Sequence, residues 1–265
     1  EWHATVYAVG GRCLPHRTVD TVPVGAGPTD LDLTADGSRA VIVSRTAREI
    51  TVLSTLDPFA PGTTTPIAGG EALGSILLAD DDSAILYTTQ PTTARYARWT
   101  VGTDTMTLHP LAKPVTALSR TPTGTSLLAI HGTSDNPDGS TPLPYRGKHA
   151  ISLIDLADQR ANTLALDAPV SGWANARDGR LGFAILQDRP YLEVLDYTTL
   201  ITDEVRLHSQ AVFVGILPDL DPTDADTPAT WVSQRHALGR LSFWDPDDRR
   251  TTTLTGFALN GEIED

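Results

Sequence analysis

Six times along the chain a short segment alternates buried-type and solvent-type side chains, with β-branched and aromatic residues in excess. The copies are residues 5–9 (TVYAV), 50–54 (ITVLS), 96–100 (YARWT), 151–155 (ISLID), 192–196 (LEVLD) and 241–245 (LSFWD). A period of two is that of a strand with one buried face. The surroundings repeat as well: an inner strand, a tight turn, a returning strand, the anchor segment, then an outer strand. In the second repeat, residues 28–34 (PTDLDLT) alternate with period two and predict a strand with one buried face. Residues 35–37 (Ala-Asp-Gly) predict the turn, because Gly supplies the positive φ a hairpin needs. Residues 39–44 (RAVIVS) return as a strand. Equivalent turns stand at 80–82, 122–124 and 177–179, and the sixth repeat replaces the turn with a long acidic loop at 218–227; the returning strands that follow are 84–88, 126–131, 181–186 and 230–234. No stretch sustains a 3.6-residue apolar period, so essentially no helix is expected.

Spacing turns these strands into a fold. The anchors Val9, Leu53, Trp99, Ile154, Leu195 and Trp244 stand 44, 46, 55, 41 and 49 residues apart. A strand-built period of roughly 40–50 residues is that of β-propeller blades. The prediction is an all-β, six-bladed β-propeller forming a single domain over residues 1–265. Six inner and six outer strands can be found, the last inner one at 257–263, but only five returning strands. One blade is therefore expected to be closed by the N- and C-terminal strands, with 257–263 beside 5–9. The missing strand is expected upstream of Glu1. The chain opens on Glu and carries its one methionine at Met106, as a piece of a longer chain extending upstream would.

Charge narrows the partners. Thirty-three acidic residues against 20 basic ones give a net charge of −13, which repels phosphate backbones and anionic lipid. Nucleic acid is not an expected partner, and no apolar run is long enough for membrane insertion. A single cysteine, Cys13, leaves no internal disulfide framework. Its neighbours Arg12 and His16 would lower its pKa, but a small buried residue is the expected role.

The run Pro28-Thr29-Asp30-Leu31-Asp32-Leu33-Thr34-Ala35-Asp36-Gly37 resembles the inner-strand signature of YVTN-type bacterial β-propellers. In that group a Pro-led strand, an Asp-Gly turn and a short hydrophobic strand precede an I-x-V-x-D strand, matched here by ITVL, ISLID and LEVLD. The C-terminal runs WVSQRHALGRLSF and TLTGFALN are similar to uncharacterised envelope propellers of myxobacteria-like species, which are commonly lipoproteins. The resemblance implies export to the bacterial periplasm, outer-membrane surface or extracellular space. It implies no catalytic residue.

No Gly-rich phosphate loop, nucleophile elbow or local His pair is present. Two clusters remain. Gln234, Arg235, His236 and Arg240 form a polar turn between strong strands and are the candidate binding residues. Asp219, Asp221, Asp224 and Asp226 share one acidic loop and are the candidate metal ligands, suited to weak Ca²⁺ binding and no other cofactor. The long loops 133–148 and 218–227 would present a partner-facing surface. The expected function is a non-enzymatic binding or scaffolding module of the envelope or a surface assembly, with a protein partner. The alternative is a metal-dependent, lactonase-like hydrolase, with Asp30, Asp32, Glu71, Asn175 and Glu262 offering oxygens at the channel mouth.

Overall fold

The computed structural model describes residues 2–7, 19–57, 60–79, 81–176, 179–217, 230–246 and 249–256, and the chain divides into two compact units. The first unit comprises residues 1–117 and 134–142. It contains a two-stranded sheet, β1 (Trp2–Tyr7) and β2 (Val19–Val24). A second sheet follows with β3 (Pro28–Leu33), β4 (Arg39–Ser44), β5 (Glu49–Ser54) and β6 (Thr63–Pro66). The third has β7 (Ser75–Leu78), β8 (Ser83–Tyr87), β9 (Arg95–Thr100) and β10 (Met106–Pro110).

The second unit comprises residues 118–133 and 143–265, the division falling within β11 (Val115–Arg120). β11 leads the fourth sheet, continued by β12 (Ser126–His131), β13 (His149–Asp155) and β14 (Ala161–Leu166). The fifth sheet is β15 (Val170–Asn175), β16 (Leu181–Leu186), β17 (Tyr191–Asp196) and β18 (Ile201–Arg206). The sixth is β19 (Ala211–Ile216), β20 (Thr230–Gln234), β21 (Arg240–Trp244) and β22 (Thr251–Thr255). Every sheet is an antiparallel meander in chain order. β12, β16 and β20 have the bounds expected from sequence. Two single-turn 3₁₀ segments, Ala68–Gly70 and Leu143–Tyr145, are the only helical elements among the described residues. No helix among them is long and apolar enough to cross a membrane. The inner strand expected at 257–263 lies outside the described residues.

The turns explain why the repeat is legible. Gly37 sits at φ 68° and donates its N–H to Thr34 O, while Asp36 Oδ1 accepts from the Thr34 hydroxyl and the Ser38 amide. Asp82 takes the same place in the third sheet at φ 61°, which Asp tolerates better than most side chains. The Asp ending the anchor strands has its own task. Asp155 Oδ1 accepts the amide of Ala157 at 2.7 Å, and Asp196 Oδ1 those of Thr198 and Thr199 at 2.9 and 3.0 Å. Each carboxylate thereby caps the hairpin to the outer strand.

Within each unit the core lies between the faces of successive sheets. In the first, Val41, Val43 and Ile50 pack with Ile76, Leu86 and Trp99. In the second, Phe183, Ile185 and Leu192 pack with Val214, Val232 and Trp244.

β3 departs from expectation in which face it buries. Leu31 and Leu33 are about half exposed, and the half-buried face carries Asp30 and Asp32. The period of two holds, but its polarity is inverted.

Candidate functional site

The inversion of β3 has a direct cause in the next sheet. β7 is an edge strand, and its outward amides need acceptors. Ile76 N–H donates to Asp30 Oδ2 at 2.9 Å and Leu78 N–H to Asp32 Oδ2 at 3.3 Å. The other oxygens, Asp30 Oδ1 and Asp32 Oδ1, accept the amides of Leu31 and Leu33 at 2.9 Å each. Thr29 Oγ1 adds a bond to Gly74 O at 2.7 Å. Three side chains of β3 thus stitch the inner strands of the second and third sheets together. The negative charge of Asp30 also helps hold the Tyr87 phenol above its usual pKa, after burial, the larger cause.

Two of the other residues considered as inner-strand metal ligands are engaged elsewhere. Asn175 Oδ1 accepts the Tyr197 hydroxyl at 2.5 Å, and Glu71 Oε1 pairs with Arg95 Nη1 at 3.4 Å. Glu262 and the acidic quartet Asp219, Asp221, Asp224 and Asp226 lie outside the described residues. Among the described residues no three His, Cys, Asp or Glu side chains gather closely enough to hold one metal ion.

The polar turn of the sixth sheet does come together, around Ser209. Gln234 Oε1 accepts the Ser209 amide at 2.8 Å, and Arg240 Nη1 donates to Ser209 Oγ at 3.2 Å while its Nε donates to Thr255 Oγ1 at 3.1 Å. His236 Nδ1 accepts the Leu238 amide at 3.2 Å, within the hairpin it spans. Gln234 is buried, and its Nε2 donates to Ser242 Oγ. Arg235 is the exposed member of the four. Three of the four side chains are thus tied by hydrogen bonds into the sixth sheet and the turn before it.

Gln234 belongs to a pattern that sequence reading missed. Ser242 faces Thr253 across β21 and β22, with their hydroxyls 2.6 Å apart. The same rung in the fourth sheet joins buried His131 Nε2 to Ser152 Oγ and Ser152 Oγ to Thr163 Oγ1, both at 2.8 Å. The rung is Thr51 opposite Thr64 in the second sheet and Ala97 opposite Leu108 in the third. Aligning the anchor segments on their second residue would have revealed it.

A cleft of about 290 Å³ opens in the first unit. One wall is β9 and the end of β10, with Thr92, Thr93, Arg95, Pro110 and Leu111; the other is Asn136, Asp138 and Ser140 from the 133–148 insertion. The insertion is held in place from below. Lys113 is fully buried with its Nζ 3.6 Å from Asp135 Oδ1. Asn136 Nδ2 donates to Ser140 Oγ at 2.9 Å and to Ala112 O at 3.4 Å, and the Asn136 amide donates to Thr141 Oγ1 at 2.6 Å. Asp138, fully exposed, has its carboxyl held below the usual range by the Ser140 hydroxyl and amide, with Arg95 contributing more weakly. Arg95 therefore sits between two carboxylates, Glu71 and Asp138. The insertion was visible in the lengthened repeat, but the Lys and Arg that receive it had no sequence signal.

A search among solved structures finds a likeness to a structure described as "Kuenenia stuttgartiensis Hydrazine Synthase", with a TM-score of 0.52 and 12% identity, over 87% of this chain and 68% of that one. At that identity the likeness speaks to the fold alone. Together with five consecutive four-stranded antiparallel meanders, it defines the chain as an all-β protein of the β-propeller class. No family model and no curated protein matches the chain.

Proposed function

We propose that the protein is a non-enzymatic binding module of the bacterial envelope or of a surface assembly, built as a six-bladed, single-domain propeller of the YVTN type. The observation that carries this reading is how the inner-strand polar side chains are used. Asp30 and Asp32 accept amides of the adjoining strand, and Asn175 accepts a buried phenol. These are three of the five groups offered for a lactonase-like metal centre, and they serve the fold. The reading is further supported by the 133–148 insertion, anchored through the pairing of Asp135 with buried Lys113, which sets an exposed, polar loop on a sheet. β1 and β2 are read as half of a sixth blade, because they reproduce the anchor and outer strands of the other five. The net charge of −13 favours a protein partner over nucleic acid or anionic lipid.

The test is hydrolysis of a panel of lactones, aryl esters and phosphate esters by the purified chain with Ca²⁺, Mn²⁺ or Zn²⁺ supplied. The expected result is no rate above the metal-containing buffer. Metal-dependent turnover lost on replacing Asp30 and Asp32 with Asn would overturn the reading in favour of a hydrolase.

A further inference from the structure

In the fifth sheet the rung formed in the fourth and sixth sheets by paired hydroxyls is made of two carboxyl groups. Glu193 on β17 stands directly opposite Glu204 on β18, at the position of the Ser152–Thr163 and Ser242–Thr253 pairs. Glu193 is 5% exposed, whereas Glu204 is exposed. The rest of the rung supplies no donor. Where the fourth and sixth sheets place His131 and Gln234, the fifth has Leu186, and Ala184 lies directly across from Glu193 on β16. The charges around Glu193 are Glu204, Asp167, whose Oδ2 already accepts from Arg189 Nε at 2.9 Å, and Arg206, two residues beyond Glu204 on β18.

We infer that Glu193 keeps its proton in the folded chain below neutrality and donates it across the rung to Glu204, which does for this rung what the Ser and Thr hydroxyls do in its counterparts. Two ionised carboxylates facing each other repel, the more so where one of them is buried, and a protonated one donates the hydrogen bond the rung lacks. Burial, then Glu204, then Asp167 push the Glu193 carboxyl from 4.5 up to about 7. The fifth sheet therefore carries a proton-dependent contact between its third strand and its exposed outer strand.

The sign follows from which state holds the proton. Below pH 4.5 Glu193 is protonated in the folded and the unfolded chain, and its contribution is complete. Between 4.5 and about 7 only the folded state keeps the proton, so stability falls as pH rises, and above about 7 the loss is full. Asp36, Asp138 and Asp158, whose carboxyls are held low by turn hydrogen bonds, act in the opposite sense and below that window.

The experiment compares melting temperatures of the parent and Glu193→Gln across pH 5 to 8, with a carboxyl-carbon NMR titration of the parent. Gln is the neutral counterpart of the protonated acid and keeps its donor. The parent is expected to lose about 5 °C more than the variant between those limits, and the variant to melt higher than the parent at pH 8. The resonance absent from the variant's spectrum should titrate near neutrality. A Glu193 carboxyl titrating between pH 4 and 5, or a Glu193→Gln variant with the parent's full pH dependence, would overturn the inference. Should the variant not fold, the NMR titration of the parent decides alone.

Discussion

Replacing Asp30 and Asp32 together with alanine lowers the melting temperature by about 10 °C. Each carboxylate accepts a β7 amide with one oxygen and a neighbouring β3 amide with the other. A hydrogen bond to a charged partner contributes about 1.5–3 kcal/mol, and Ile76, whose amide is orphaned, is buried. The pair together is worth about 3–5 kcal/mol, discounted for half-burial, and each kcal/mol shifts the midpoint of a chain this size by roughly 2–4 °C. Asparagine at both positions keeps one acceptor oxygen of the two and loses the charge, so about half the loss is expected. Thermal unfolding followed by circular dichroism measures both. A double-alanine variant melting within 2 °C of the parent, on the order of one weak contact, would show that the stitch between β3 and β7 contributes little.

Phe183→Ala is expected to cost about 3–5 kcal/mol and to leave little soluble protein. Phe183 is fully buried on β16, and its ring meets Trp244 edge-on with centroids 5.6 Å apart. Truncation removes the contact between the fifth and sixth sheets within the second unit and leaves a cavity that β-sheet backbones on either side cannot collapse to fill. Phe183→Leu retains most of the volume and is expected to fold with a loss of about 1–2 kcal/mol. Denaturant unfolding of the Leu variant and soluble yield of the Ala variant check this. Equal yields of parent and alanine variant would place the core elsewhere.

Much of the fold was readable because each strand type carries its own local chemistry. The returning strands β12 and β16 carry the apolar runs LLAI and LGFAIL after Gly-containing turns, and the terminal Asp of the anchors caps the next hairpin. These signals are short-range, so they survive in one sequence. What escaped is long-range. The leucines of β3 read as its buried face, and only β7, 46 residues on in the Asp30–Ile76 and Asp32–Leu78 bonds, makes the aspartates the better-buried side. Gln234 read as a surface ligand because its partners lie elsewhere in the sequence, Ser209 in the turn before β19 and Ser242 on β21. Glu193 passed unnoticed for the same reason: a charged residue in an alternating strand looks solvent-facing until Glu204 is set opposite it.

The chain's inner-strand acids decide between its two functional readings, and one measurement separates them. Melting temperatures of the parent and of the Asp30→Asn/Asp32→Asn variant are taken in chelator and in excess Ca²⁺ or Mn²⁺. If Asp30 and Asp32 serve the strand edge, the variant melts below the parent by the same margin in every condition, even if other acidic residues bind ions. If they ligate a metal, the ion raises the parent's melting temperature and the variant loses that rise, which would contradict the account.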